Sequence, residues 1–245
     1  MRMRNVLNVS FVLLSLALPA IAQQPTSQPA AHVERPPIVS AKEWGSTPQP
    51  IPESRRHMPK YITVHHAGVF VPSTRDPADF VKAMQGWGQR DKKWPDLAYH
   101  FLIAPDGRIF EGRSLDFEPE TNTIYQTNSH ICVELMGDFG KQRMTPQQLD
   151  SLVKTCAWLC QEYSIKPILI AGHNDRAPRQ TSCPGKDLYR YISDGQITRW
   201  VADILAGKPT EVKERDALPD GPTIYVGDPA GDPPATQPAT AKTTN

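Results

Sequence analysis

The 245-residue chain reads as an α/β protein, one domain with a central mixed β-sheet flanked by helices. Three observations predict this. Short β-branched and apolar runs of strand length occur at 61–65, 130–136 and 167–171. Segments with helical spacing of apolar residues interleave with them at 77–89, from 145 onward and at 197–205. Two short apolar runs flank Pro105, Asp106 and Gly107, a turn signal that adds an antiparallel hairpin to an otherwise βα-type order.

Taken in order, residues 1–22 have the pattern of an export segment. Arg2 and Arg4 give a basic start, a short apolar run follows, and Ala20, Ile21 and Ala22 form a small-x-small cleavage pattern. The apolar run is shorter than the ~20 residues needed to span a bilayer, so no stable membrane anchor is expected. Residues 23–37 are rich in Gln, Pro, Ala and Ser and predict a flexible leader. The domain is expected over 38–207, and the Pro-rich residues 208–245 as a disordered tail. Loss of Arg2 and Arg4 takes the formal net charge from +1 to −1. That near-neutral balance argues against nucleic acid or an anionic membrane as the main partner.

Within the domain, Tyr61 to His65 predicts a strand that ends at His65 and His66. Phe80, Val81, Met84 and Trp87 give a helix over 77–89. Residues 98–103 and 108–111 form the hairpin arms, and 130–136 a central strand. Thr145 fits an N-cap, with Pro146 in the first helical position and Gln148 completing a capping box. The buried stripe of that helix would be Leu149, Leu152, Val153, Cys156, Leu159 and Cys160. A strand over 167–171 and a helix over 197–205 complete the set.

The chemistry gathers at strand ends. His173 follows the apolar run 167–171, and Cys183 closes a polar loop before Pro184 and Gly185. With His65 they offer two imidazoles and a thiol at the places where α/β sheets gather ligands. Two His and one Cys leave a tetrahedral zinc one open position, as catalytic sites do. Zinc lowers the pKa of water it holds towards ~7. The alternative is a core His65 and a disulfide-bonded Cys183. Glu134 stands out because alternation puts it with Cys132, opposite Ile131, Val133 and Leu135. Such a carboxylate is exposed, paired or catalytic. By the same alternation His66 and His100 point away from the metal.

These segments together resemble the zinc-dependent N-acetylmuramoyl-L-alanine amidase family, which includes phage lysozyme-type amidases and peptidoglycan recognition proteins. The resemblance runs through 38–45, the strand 62–68 with His65, the hairpin 98–113, the strand 131–137, and Gly172, His173 and Cys183 to Gly185. It implies an amidase or recognition-protein domain that binds peptidoglycan or muropeptides as a monomer, in the periplasm or outside the cell. It implies Zn2+ on His65, His173 and Cys183, and Glu134 as catalytic acid/base. Tyr99 matches a Tyr near the zinc and is expected to bond the water or the oxyanion. Thr181 matches a position occupied by Lys or Thr and adds a hydroxyl. Residues 114–123 depart from the family's groove-lining Gly/Ala-His segment. Arg113 and Asn128 remain possible substrate contacts.

Three readings follow. An exported amidase would cut the bond between the lactyl group of N-acetylmuramic acid and L-alanine. A non-catalytic peptidoglycan-binding module on the same fold is the alternative; Cys183 speaks against it, because binding-only relatives typically lack that ligand. A disulfide-stapled interaction domain would need more than four cysteines in so long a chain. If Cys183 is a ligand, Cys132, Cys156 and Cys160 remain. Cys156 and Cys160 lie one helical turn apart, which suits buried core residues.

Overall fold

The structure is a computed structural model that describes residues 32–232. The expected export segment, most of the leader and the last part of the tail lie outside the described residues.

Six strands form one mixed sheet in the order β1-β4-β3-β5-β2-β6. They are β1 (Ile38–Val39), β2 (Tyr61–His66), β3 (Phe101–Ile103), β4 (Ile109–Glu111), β5 (His130–Leu135) and β6 (Ile170–Gly172). Only the β3–β4 hairpin is antiparallel; every other pair is parallel. The hairpin turns where Gly107 takes a positive φ of 85°, a region open to glycine at little cost.

β2 and β5 are neighbours inside the sheet, and their register sorts side chains between two faces. Ile62 pairs with Ile131, Val64 with Val133 and His66 with Leu135. The apolar members of these pairs join the core, which also takes Leu149, Leu152, Val153, Cys156, Leu159 and Cys160 from helix α2 (Pro146–Glu162). Thr63 pairs with Cys132 and His65 with Glu134. Paired residues of neighbouring parallel strands leave the same face, so β2 and β5 carry a polar row opposite the core. All six β5 residues are buried.

Helix α1 (Pro77–Trp87) starts where the Asp76 side chain accepts from the N–H groups of Ala78 and Asp79. It runs into a π-helical turn, Gly88–Lys92. Helix α2 has the expected Thr145–Gln148 capping box, which satisfies two N–H groups left without partners at a helix start. The segment 167–171 differs from expectation. Pro167–Leu169 is a 3-10 turn, because Pro167 has no N–H for a ladder, and the strand begins only at Ile170. Helix α3 (His173–Arg176) follows at once. Helix α4 (Lys186–Ser193) has no counterpart in the sequence reading, and α5 (Gln196–Leu205) closes the helical set.

Residues 208–232, within the segment read as a tail, are among the described residues. This segment runs back along the domain as a strap. Glu214 takes Arg143 and the Tyr225 hydroxyl, and Val226 is buried. Arg143 and Tyr225 form a bridge, with the N–H of Arg143 donating to Ile224 and that of Val226 to Arg143. At its end the Asp232 carboxylate accepts from the Ser73 N–H at 2.8 Å and hydroxyl at 2.5 Å. A segment without its own core can pack on an existing one. At the end of the leader segment the Val33 N–H and carbonyl bond the Gln161 side-chain amide, and Arg35 lies over Trp158.

Candidate metal and catalytic site

His65 is the fifth residue of β2 and shares the polar row with Glu134. His173 opens α3 directly after β6. Its turn is held by Asp175, which accepts from the Gly172 N–H at 2.8 Å and from the Tyr189 hydroxyl at 2.6 Å. Cys183 comes from the loop before α4. Gly185 sets that loop: φ is 85°, and an added Cβ would lie 2.5 Å from the Phe139 carbonyl carbon. Only glycine lets the loop pack so closely on the chain leaving β5.

One potential ligand atom from each of His65, His173 and Cys183 falls in a group no more than 4.8 Å across, and all three residues are buried. The rings of His65 and His173 lie 4.5 Å apart, and Cys183 Sγ is 3.7 Å from His65 Nδ1. Burial holds the pKa of His65 well below its ordinary value and brings that of His173 down to about 4. Both imidazoles are therefore neutral at pH 7, with a lone pair to offer. Cys183 is a thiol raised by burial, and the His66 N–H donates to its sulfur at 3.3 Å. Two neutral imidazoles and a sulfur form a donor set suited to zinc.

Glu134 is completely buried, and neither carboxylate oxygen has a hydrogen-bond partner; His65 Nε2 is likewise buried and unpartnered. Burial raises the Glu134 pKa to about 8. An orphaned acid is costly unless something enters the site to use it. The Tyr99 ring lies 5.1 Å from that of His65, and its phenol is raised well above the usual range by burial and by Glu134. Thr181 places its hydroxyl on the N–H of Cys183 at 3.0 Å, shaping the ligand's own turn.

A model of the N-acetylmuramoyl-L-alanine amidase family matches residues 55–186, more than half of the chain. This chain belongs to that family. Peptidoglycan-recognition protein LB of Drosophila melanogaster is 29% identical over 164 residues, which are 64% of this chain and 67% of that protein. Peptidoglycan recognition protein 1 of Mus musculus is 28% identical over 170 residues, 66% of this chain and 89% of that one. Among solved structures, a variant of Drosophila PGRP-LB in complex with tracheal cytotoxin superposes with TM-score 0.55 and 26% identity, covering 64% of this chain and 92% of that one. The N-acetylmuramoyl-L-alanine amidase LysC from Clostridium intestinale gives 0.52 and 25%, covering 67% and 97%.

Tyr99 also lines a groove of about 470 Å³. Its walls are mainly apolar, with Val69, Phe70, Met84, Trp87 and Trp94 among them, and Asn122 on its lining. The strap reaches this wall, since Ser73 lies between Phe70 and Arg75, which also line the groove. Other residues singled out in the sequence fall elsewhere. Arg113 is not a substrate contact: it is 1% exposed and bonded to the Leu97 and Glu118 carbonyls and the Glu120 carboxylate. Asn128 is exposed and takes the Ser129 hydroxyl. His66 Nδ1 accepts from the Phe139 N–H, and His100 is tied to Cys132 N–H and the Phe117 carbonyl, so both serve the fold. The four cysteines are free and buried.

The sequence reading missed Thr121, Thr123 and Tyr125. Thr123 Oγ1 lies 2.6 Å from His173 Nε2, Thr121 Oγ1 lies 3.5 Å from it, and the Tyr125 ring is 5.5 Å from that of His173. They sit in an irregular loop with no periodicity to mark them.

Proposed function

We propose that this chain is an exported zinc amidase. It hydrolyses the amide between the lactyl group of N-acetylmuramic acid and L-alanine in peptidoglycan or its fragments. The observation that carries the reading is the convergence of His65, His173 and Cys183 on the sheet face that holds the unpartnered Glu134 carboxyl. A module that only binds peptidoglycan needs the groove but has no use for an orphaned buried acid.

His65, His173 and Cys183 would hold the zinc. Bound there, it would polarise the amide carbonyl, acidify the attacking water and, by its charge, favour ionised Glu134. Glu134 takes a proton as the water oxygen bonds to the lactyl carbonyl carbon. It returns that proton to the alanine nitrogen as the C–N bond breaks, leaving a carboxylic acid and an amine, which pass the remaining water proton between them to end as carboxylate and ammonium. The Tyr99 hydroxyl donates to the developing oxyanion. Thr181 keeps the Cys183 turn in shape and retains its own O–H for a nearby oxygen. The groove beside Tyr99 receives the muropeptide, a ligand class that includes the tracheal cytotoxin held by the PGRP-LB variant.

Zinc content and product analysis on defined muropeptides test the proposal together. We expect one zinc per chain and release of the peptide stem, with Glu134→Gln keeping the metal and losing about 10²–10⁴-fold in rate. A chain without zinc, or full activity in chelator, refutes it. Export is tested by N-terminal sequencing of secreted protein, expected to begin at Gln23. Among the described residues no helix is long and apolar enough to cross a membrane. We further expect a monomer by sedimentation.

A further inference from the structure

The loop over His173 supplies a part of the site that the family resemblance does not. Thr123 Oγ1 lies 2.6 Å from His173 Nε2, and Thr121 Oγ1 lies 2.8 Å from Thr123 Oγ1. The Thr123 N–H donates to Thr121 Oγ1 at 3.1 Å, which fixes the two hydroxyls relative to each other. The loop is tied in turn to the ligand-bearing segment. The Gln180 side chain accepts from the Ile124 N–H at 2.7 Å and donates to the Ile124 carbonyl at 3.1 Å. Gln180 lies between His173 and Cys183 in the chain. The hydroxyls and the ligand they touch are therefore held as one unit.

A histidine ring has two nitrogens, and the hydrogen bond made by one decides what the other can do. With Nε2 engaged by Thr123, the other nitrogen, Nδ1, is the one available to an ion shared with His65 and Cys183. A donor–acceptor chain then runs in one direction. In the Nε2–H tautomer the His173 N–H would donate to Thr123 Oγ1, and the Thr123 O–H to Thr121 Oγ1. Tyr125 adds a packing wall to the same ring.

We infer that Thr123 is a positioning residue for the metal site, holding His173 in the Nε2–H tautomer with Nδ1 aimed at the ion. This rests on the zinc reading above. It also gives a role to residues 121–125, which overlap the stretch where the chain departs from the family pattern.

The test is zinc affinity, measured by competition with a chromophoric chelator on the full mature chain. Thr123→Val keeps the shape and removes the hydroxyl, and Thr123→Ser restores it. Removing an outer partner of a ligating histidine typically costs about 10–100-fold in metal affinity, so Thr123→Val is expected to fall by that order while Thr123→Ser stays near wild type. In ¹⁵N NMR of the zinc form, the slowly exchanging His173 Nε2 proton should persist in wild type and Thr123→Ser and vanish in Thr123→Val. This second readout serves if valine loosens the loop. Equal affinity of Thr123→Val and wild type, or a Thr123→Ser as weak as Thr123→Val, overturns the inference alone. A wild-type chain that takes no zinc overturns the inference and the reading beneath it.

Discussion

Replacing Glu134 by Gln has a consequence for stability that is separate from its effect on rate. The carboxyl is buried on the face of His65, and burial raises its pKa from 4.5 to about 8. The groups around it are His65 from β2, Tyr99 from the segment before β3 and Cys183 from the loop before α4. Burial keeps all three neutral, so none of them offsets a charge on Glu134. In the metal-free protein the native state therefore keeps a proton that the unfolded chain gives up above pH 4.5. The stability this contributes is fully present below pH 4.5, falls as pH rises, and is gone once the native carboxyl ionises near pH 8. Between pH 5 and 7.5 the fall is about 3 kcal/mol, at about 1.4 kcal/mol per pH unit. The buried neutral histidines act in the opposite sense, costing stability as pH falls below about 6.5. They are common to both proteins and cancel in the comparison, as does the pH-independent cost of burying an amide. The assay is urea unfolding of wild type and Glu134→Gln in chelator at pH 5 and 7.5. Wild type should lose about 3 kcal/mol relative to the variant across that range, a large part of a domain's usual ~5–15 kcal/mol. Parallel pH profiles would refute the reasoning, since they would mean that Glu134 is already ionised or solvated in the native state.

Other expectations are simpler. Cys183→Ser exchanges a thiolate donor for a hydroxyl, so zinc content by elemental analysis and muropeptide hydrolysis should fall together; loss of activity with zinc retained would contradict the ligand role. Tyr99→Phe removes one hydrogen bond worth about 1.4 kcal/mol, so kcat should drop about tenfold with zinc unchanged, and an unaltered rate would count against an oxyanion contact. Asp232→Ala releases the Ser73 N–H and hydroxyl from the strap. With a net bond at about 0.5–1.5 kcal/mol, steady-state kinetics should show KM rising about threefold to tenfold at constant kcat; a fall in kcat alone would mean that the strap does not act through the groove wall.

What could be read from the sequence depended on how far apart the interacting residues lie. The α2 capping box involves residues three apart, and each bond was legible. His65, His173 and Cys183 were legible because each sits at a local boundary: a strand end, a strand-to-helix turn and a loop closed by Pro184 and Gly185. Thr123 was not, because its bond to His173 spans 50 residues and joins an irregular loop to the start of α3. Helix α4 was hidden by its size. Its eight residues give only two turns, and Leu188 and Tyr191 are its only fully buried apolar side chains. The strap was hidden by composition, because Ile224, Tyr225 and Val226, the run that carries its buried Val226, are only three residues set among Pro, Asp and Gly.

Glu134 shows where the limit lies. Alternation along 130–136 placed it opposite Ile131, Val133 and Leu135 but did not decide whether that face met solvent, an ion pair or a site. The decision came from neighbours on both sides. β2 brings His65 into register with Glu134, and β3 brings Leu102. The same register puts Ile62, Val64, Ile131 and Val133 into the core. A slip of one residue between β5 and β2 would send Glu134 into the core and bring an apolar side chain beside His65. Burial of the apolar face thus holds the register, and the register in turn sets the carboxyl on the face of His65, one of the three candidate metal ligands.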